Sequence, residues 1–91
     1  MTIKAKFFAY FREVFGGRER EVFLGEGASV AEALAALCDT PARRGEIFAG
    51  GALKPHLVIM LNGVPVQSLQ GLSTPLAEGD TLAVFPMMGG G

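Results

Sequence analysis

A chain of 91 residues has room for one modest core and not for two, and with 49% hydrophobic against 19% charged side chains it packs as a globular domain rather than staying disordered. Eight basic and nine acidic side chains leave a net charge of −1 with no long block of either sign, which argues against nucleic acid as a partner. No apolar run reaches signal-peptide or membrane-span length and the single cysteine, Cys38, has no internal partner for a disulfide, so the expected setting is cytoplasmic, away from any membrane.

Ile3, Ala5, Phe7, Ala9 and Phe11 alternate with Lys4, Lys6, Phe8 and Tyr10, the two-residue period of a strand with one buried face. A first strand is therefore predicted through Phe11, lysines outward. Gly16-Gly17 is a turn signal, and Arg18 to Leu24 reads as a second strand completing a hairpin. At Ser29 the period changes: Val30, Ala33, Leu34 and Leu37 share one face of a helix, with Ser29 as N-cap and Glu32 three residues on, a capping box. Thr40-Pro41 opens a second short helix anchored by Ile47 and Phe48, with proline at the first position, where its missing N–H costs little. Ala49 to His56, with two glycines and a proline, reads as a loop.

Leu57 to Leu61 is an unbroken apolar run, expected of a central strand covered on much of both faces. Asn62-Gly63 turns the chain into Val64-Pro65-Val66, a short edge strand where proline is tolerated. Leu69 to Glu78 is irregular, with Pro75 and Leu76 docking a turn onto the core, and Gly79-Asp80 starts a last strand from Thr81 to Phe85. A hairpin, a crossover helix and returning strands fit an α+β fold: a mixed sheet packed on one main helix, the ubiquitin-like β-grasp arrangement.

The end of the sequence, Phe85-Pro86-Met87-Met88-Gly89-Gly90-Gly91, carries the strongest functional signal. Glycines adopt backbone angles closed to other residues and pass through a channel too narrow for a Cβ. Pro86 lacks an N–H, so it is expected to end strand pairing and to divide a domain at 1–86 from a flexible tail at 87–91. Five residues at about 3.4 Å each reach roughly 17 Å, enough to carry a terminal carboxylate into another protein's active site. The plain alternative is a frayed terminus with no role.

Several stretches occur together in order: Phe8-Ala9-Tyr10-Phe11-Arg12-Glu13 with Gly16, Gly27-Ala28-Ser29-Val30, Leu61-Asn62-Gly63, and Leu76 to Pro86 leading into the glycines. With them the chain resembles, over nearly its whole length, the sulfur-carrier family that contains the molybdopterin synthase small subunit and the thiamine sulfur carrier. Arg12-Glu13 and the length lean toward the molybdopterin branch. It departs from the usual pattern in having three terminal glycines and in Met87-Met88, where proline and valine are frequent.

The resemblance implies a carrier rather than an enzyme. A ubiquitin-activating-type adenylating enzyme, which uses the ATP, would convert the Gly91 carboxylate to an acyl-adenylate. A sulfur donor would then displace AMP to leave a thiocarboxylate for the molybdopterin synthase large subunit, in molybdenum or tungsten cofactor synthesis. No bound cofactor and no metal site are expected of this chain. Gly89 and Gly90 would thread the partner's channel, and Phe8, Tyr10, Arg12, Phe85, Pro86, Met87 and Met88 would form the partner-binding surface, the aromatic rings lying outward on the sheet. His56 has no second histidine or paired nucleophile, and Cys38 sits beside an apolar stripe with Asp39 next to it; both read as structural. The same terminal chemistry also fits sulfur delivery to thiamine or an amino acid, or a ubiquitin-like modifier joined to lysines through Gly91.

Overall fold

The first strand is shorter than its alternation implies. In the computed structural model, which describes residues 1–87, β1 runs over Thr2–Phe7, and Phe11–Phe15 form a helix, α1, in place of the predicted end of the strand. Phe11 fits both periods, standing four residues after Phe7 as well as on the odd-numbered alternation, and the backbone at Ala9 decides between them. Its φ of 54° lies in the left-handed region and breaks the strand. The α1 start is then closed by N–H bonds from Phe11 to the Phe8 carbonyl and from Arg12 to the Ala9 carbonyl, and the helix ends at Gly16, φ 76°. Both Phe11 and Phe15 are buried, and the Phe15 ring stacks on Phe7 with centroids 4.5 Å apart, so one end of the core is closed by three aromatic rings.

β2 (Glu19–Phe23) returns antiparallel to β1, Ile3 opposite Val22, so the two strands pair as a hairpin would but with a helix in the connection. α2 (Val30–Leu37) buries Val30, Ala33, Leu34 and Leu37, the stripe given by its spacing, and the Ser29 N–H donates to Glu32 Oε1 at 3.4 Å as the capping box requires. α3 (Pro41–Ile47) starts on Thr40, whose Oγ1 accepts from the Arg43 N–H at 3.1 Å. Where a loop was expected, Phe48–Ala49 (β3) and Ala52–Leu53 (β4) form a two-stranded ribbon around Gly50-Gly51.

The remaining strands are β5 (Leu57–Leu61), β6 (Val64–Pro65) and β7 (Thr81–Pro86), and the five-stranded sheet has the order β2-β1-β7-β5-β6. The middle strand is β7, parallel to β1 and antiparallel to β5, and the Leu57 to Leu61 run lies inside the sheet between β7 and β6, covered on much of both faces as expected. Leu57, Ile59 and Leu61 are buried against the helices, whereas Val58 and Met60 are half-buried on the other face. Asn62 and Gly63, φ 50° and 84°, make the tight turn into the edge strand β6. In the irregular segment before β7, Leu76 is buried and its N–H donates to the Ala28 carbonyl at 2.9 Å, so this turn docks beside the start of α2 as expected.

One ion-pair cluster ties three elements together. Asp39 Oδ1 accepts from Arg43 Nη1 at 2.7 Å and Oδ2 from Arg20 Nη2 at 3.5 Å, while Arg43 Nε donates to the Val14 carbonyl at 3.0 Å. The Arg43 hydrogen bond, reinforced by the nearby positive charge, holds the Asp39 carboxyl below the usual carboxylate range. A folded-state pKa below the unfolded one stabilises the fold at neutral pH, and this contribution disappears as the pH falls through the folded value. Thermal melts of wild type and Asp39→Asn are thus expected to differ at pH 7 and to converge in the acid range below an ordinary carboxylate. A gap of constant size across that range would show that the charge of Asp39 does not matter.

Candidate functional site

β7 positions the site because its alternation sends Leu82 and Val84 into the core and leaves Ala83 and Phe85 on the opposite face. In register with them on β5 stand Met60 opposite Ala83 and Val58 opposite Phe85. On the other side, Lys6 of β1 pairs with Ala83, and the Phe8 N–H donates to the Val84 carbonyl at 3.1 Å as the last bond between β1 and β7. The Phe8 ring then meets Phe85, centroids 5.0 Å apart and planes at 59°, a tilted aromatic pair. Val58, Met60, Phe8 and Phe85 thus make an apolar patch on the sheet face away from the helices, all four half-buried. Phe8 and Phe85 were expected there from the sequence. Val58 and Met60 were not, because an unbroken apolar run hides which of its residues faces outward; counting by two from Leu57 would have separated them.

Arg12 belongs to α1 rather than to a strand end. Its Nε donates to the Phe7 carbonyl at 3.1 Å and its guanidinium carbon lies 5.8 Å from the Phe8 ring centre, so the side chain is laid across the edge of the patch and its terminal nitrogens face solvent. Tyr10 goes elsewhere: its ring stacks on Phe11 at 4.4 Å and its hydroxyl donates to Glu46 Oε2 of α3 at 3.2 Å. Desolvation, with Glu46 adding to it, raises the Tyr10 pKa. The structure therefore brings Phe8, Arg12 and Phe85 together and places Tyr10 on the helix side.

Strand pairing continues past Pro86, which lies opposite Leu57, and the Met87 N–H donates to the His56 carbonyl at 2.8 Å. Pro86 thus does not end the ladder as expected. With Phe85 and Met87 turned toward β5, the nitrogen of Pro86 points to the β1 side, where pairing has already stopped, so its missing N–H deprives no partner. Met87 is exposed beside Leu57 and Pro65. Met88, Gly89, Gly90 and Gly91 lie outside the described residues.

His56 is exposed and contributes its carbonyl to holding Met87. Cys38 is buried at the end of α2, and burial pushes its thiol pKa up, with Asp39 adding to the effect and Arg44 opposing it; the thiol stays protonated and poorly nucleophilic. Among the described residues no three His, Cys, Asp or Glu side chains cluster as a metal site, and no helix is long and apolar enough to cross a membrane.

The ThiS family matches residues 5–91, nearly the full length. This chain belongs to the ThiS family. ThiS proteins are small ubiquitin-like sulfur carriers rather than catalysts. Within the family the chain is similar to small archaeal modifier protein 3 of Haloferax volcanii, 35% identical over 92 aligned positions spanning 100% of each chain. The crystal structure of small archaeal modifier protein 1 from Haloferax volcanii superposes with a TM-score of 0.87 at 34% identity, again over 100% of each chain. A putative molybdopterin converting factor, subunit 1, from Pyrococcus furiosus superposes at 0.74 with 28% identity, covering 94% of this chain and 97% of that one. These neighbours bear out the ubiquitin-like β-grasp fold.

Proposed function

We propose that this ThiS-family chain carries sulfur on Gly91 as the small subunit of a molybdopterin synthase. The supporting observation is the position of the apolar patch: Phe8, Val58, Met60 and Phe85 surround the end of β7, the strand that leads to the terminal glycines. Residues 1–86 act as the folded domain and 87–91 as the tail, with Met87, the last of the described residues, bonded to the His56 carbonyl. The likeness to a putative molybdopterin converting factor, subunit 1, supports this pathway.

A free carboxylate is a poor electrophile, since its charge is delocalised and oxide is a bad leaving group. An adenylating partner supplies the ATP. The Gly91 carboxylate oxygen attacks the α-phosphorus, pyrophosphate leaves, and the acyl-adenylate then loses AMP to an incoming sulfur nucleophile, giving a thiocarboxylate. This chain provides the reacting main-chain group and the docking surface; the partner provides the nucleotide site. Full-length similarity to a small archaeal modifier protein favours a second reading, in which the same acyl-adenylate ends in an isopeptide bond to a lysine.

Mass spectrometry of the full chain after incubation with ATP, a sulfide source and the activating enzyme of its own genome separates the two. Exchange of one oxygen for sulfur supports carriage, conjugates of higher mass support modification, and an unchanged mass overturns both. On the docking side, Phe85→Ala is expected to weaken binding to the activating enzyme by about tenfold or more while moving the melting temperature little. A large fall in melting temperature with unchanged affinity would make Phe85 a residue of the core.

A further inference from the structure

We infer that the partner surface that covers the Phe8–Phe85 patch carries carboxylates, which Lys6 and Arg12 receive along one border of the patch. This deepens the docking reading above and rests on it. Lys6 precedes Phe8 by two residues on the same face of β1, and its neighbour across the sheet is Ala83, so its side chain rises from the face that holds the patch. Arg12 reaches the patch from α1, fixed at Nε by the Phe7 carbonyl and laid over the Phe8 ring. Two cations therefore stand near Phe8, Arg12 against its ring and Lys6 two residues before it on the same face.

Their lack of internal partners is what points outward. Among the described residues no carboxylate lies within ion-pair distance of Lys6 or of Arg12; Glu19, opposite Lys6 on β2, pairs instead with Lys4 at 3.9 Å. The guanidinium keeps two terminal nitrogens for a planar acceptor, which suits a carboxylate bound by both oxygens. Past Phe85 the patch is uncharged, bounded by Val58, Met60 and Met87. The face is thus apolar in the middle, with Lys6 and Arg12 next to the rings and the Lys4–Glu19 pair and Glu21 farther out on β1 and β2, and the surface that complements it is apolar with an acidic border toward Lys6 and Arg12. Such a one-sided charge fixes the angle at which a partner docks and speeds encounter, while the apolar centre supplies the burial.

The test is equilibrium binding of the full chain to the activating enzyme at low and at high sodium chloride, with melting temperatures measured alongside. Wild-type affinity is expected to fall with salt. Lys6→Glu combined with Arg12→Glu is expected to weaken binding on the order of tenfold or more at low salt and to flatten the salt dependence, and Lys6→Gln to give a smaller loss with an unchanged melting temperature. Charge reversal at Glu26, in the turn after β2, is the control and should leave affinity in place. Salt-independent wild-type binding, or full affinity in both Lys6→Gln and the double variant, overturns the acidic border while the carrier reading stands. Failure of the wild type to bind at any salt overturns both.

Discussion

Phe11→Ala is expected to destabilise the domain by about 3–5 kcal/mol, the range for emptying a buried phenylalanine site. Phe11 is 0% exposed and sits between the Tyr10 ring at 4.4 Å and the Phe15 ring at 6.4 Å; the Phe15 ring is itself held by Phe7 and by the Arg43 guanidinium, and Tyr10 by the bond from its hydroxyl to Glu46. Little of that cavity can collapse. For a domain of this size a loss of that magnitude lowers the melting temperature by on the order of 20 °C, and it consumes much of the roughly 5–15 kcal/mol of an ordinary net stability. Phe23, 75% exposed at the end of β2, provides the contrast. Phe23→Ala should shift stability by no more than about 0.5 kcal/mol. Calorimetry of the two variants side by side is decisive: equal, small shifts would mean that α1 does not close the core.

Removing Gly90 and Gly91 should have the opposite profile, abolishing the product while leaving the fold alone. Among the described residues the last main-chain bond to the domain is Met87 N–H to the His56 carbonyl, and the buried residues of β7, Leu82 and Val84, lie well before the deletion. The melting temperature is therefore expected to stay within a degree or two of wild type. The shortened chain still ends in a carboxylate, but two residues too early. At roughly 3.4 Å per residue its reach falls by about 7 Å, far outside the sub-ångström to 1 Å tolerance of an attacking group. No sulfur-for-oxygen exchange and no conjugate should be found by mass spectrometry under conditions where the wild type reacts. Either product at the wild-type rate would remove Gly91 from the chemistry.

The parts of the fold that were legible in the sequence are those where one local pattern had one structural meaning. The capping box at Ser29 and Glu32, the apolar stripe of α2 and the Asn62-Gly63 turn each matched a single template, and each is found. α1 was missed because Phe7, Phe11 and Phe15 satisfy a four-residue spacing while Phe7, Ala9 and Phe11 satisfy a two-residue one; a positive φ at Ala9 chose the helix, and alanine gives no warning of it. β3 and β4 are two residues each, too short to show a period. The place of β5 in the sheet is a long-range fact: the half-burial of Val58 and Met60 depends on what covers them, which a run of apolar letters does not encode. The same holds for the site. Phe8 and Phe85 followed from strand parity, whereas Tyr10 followed the unexpected helix to Glu46 on the other side of the molecule.

The middle of the sheet is filled by β7, the last in chain order of its five strands. Until residues 81–86 leave the ribosome, β1 with β2 and β5 with β6 are separate two-stranded pieces with nothing between them, since each half borders only β7. Synthesis must reach residues 81–86 before either half gains its missing neighbour. A prematurely stopped product consequently cannot assemble the face on which Phe8 and Phe85 meet, and the topology itself screens out unfinished copies before they compete for a partner.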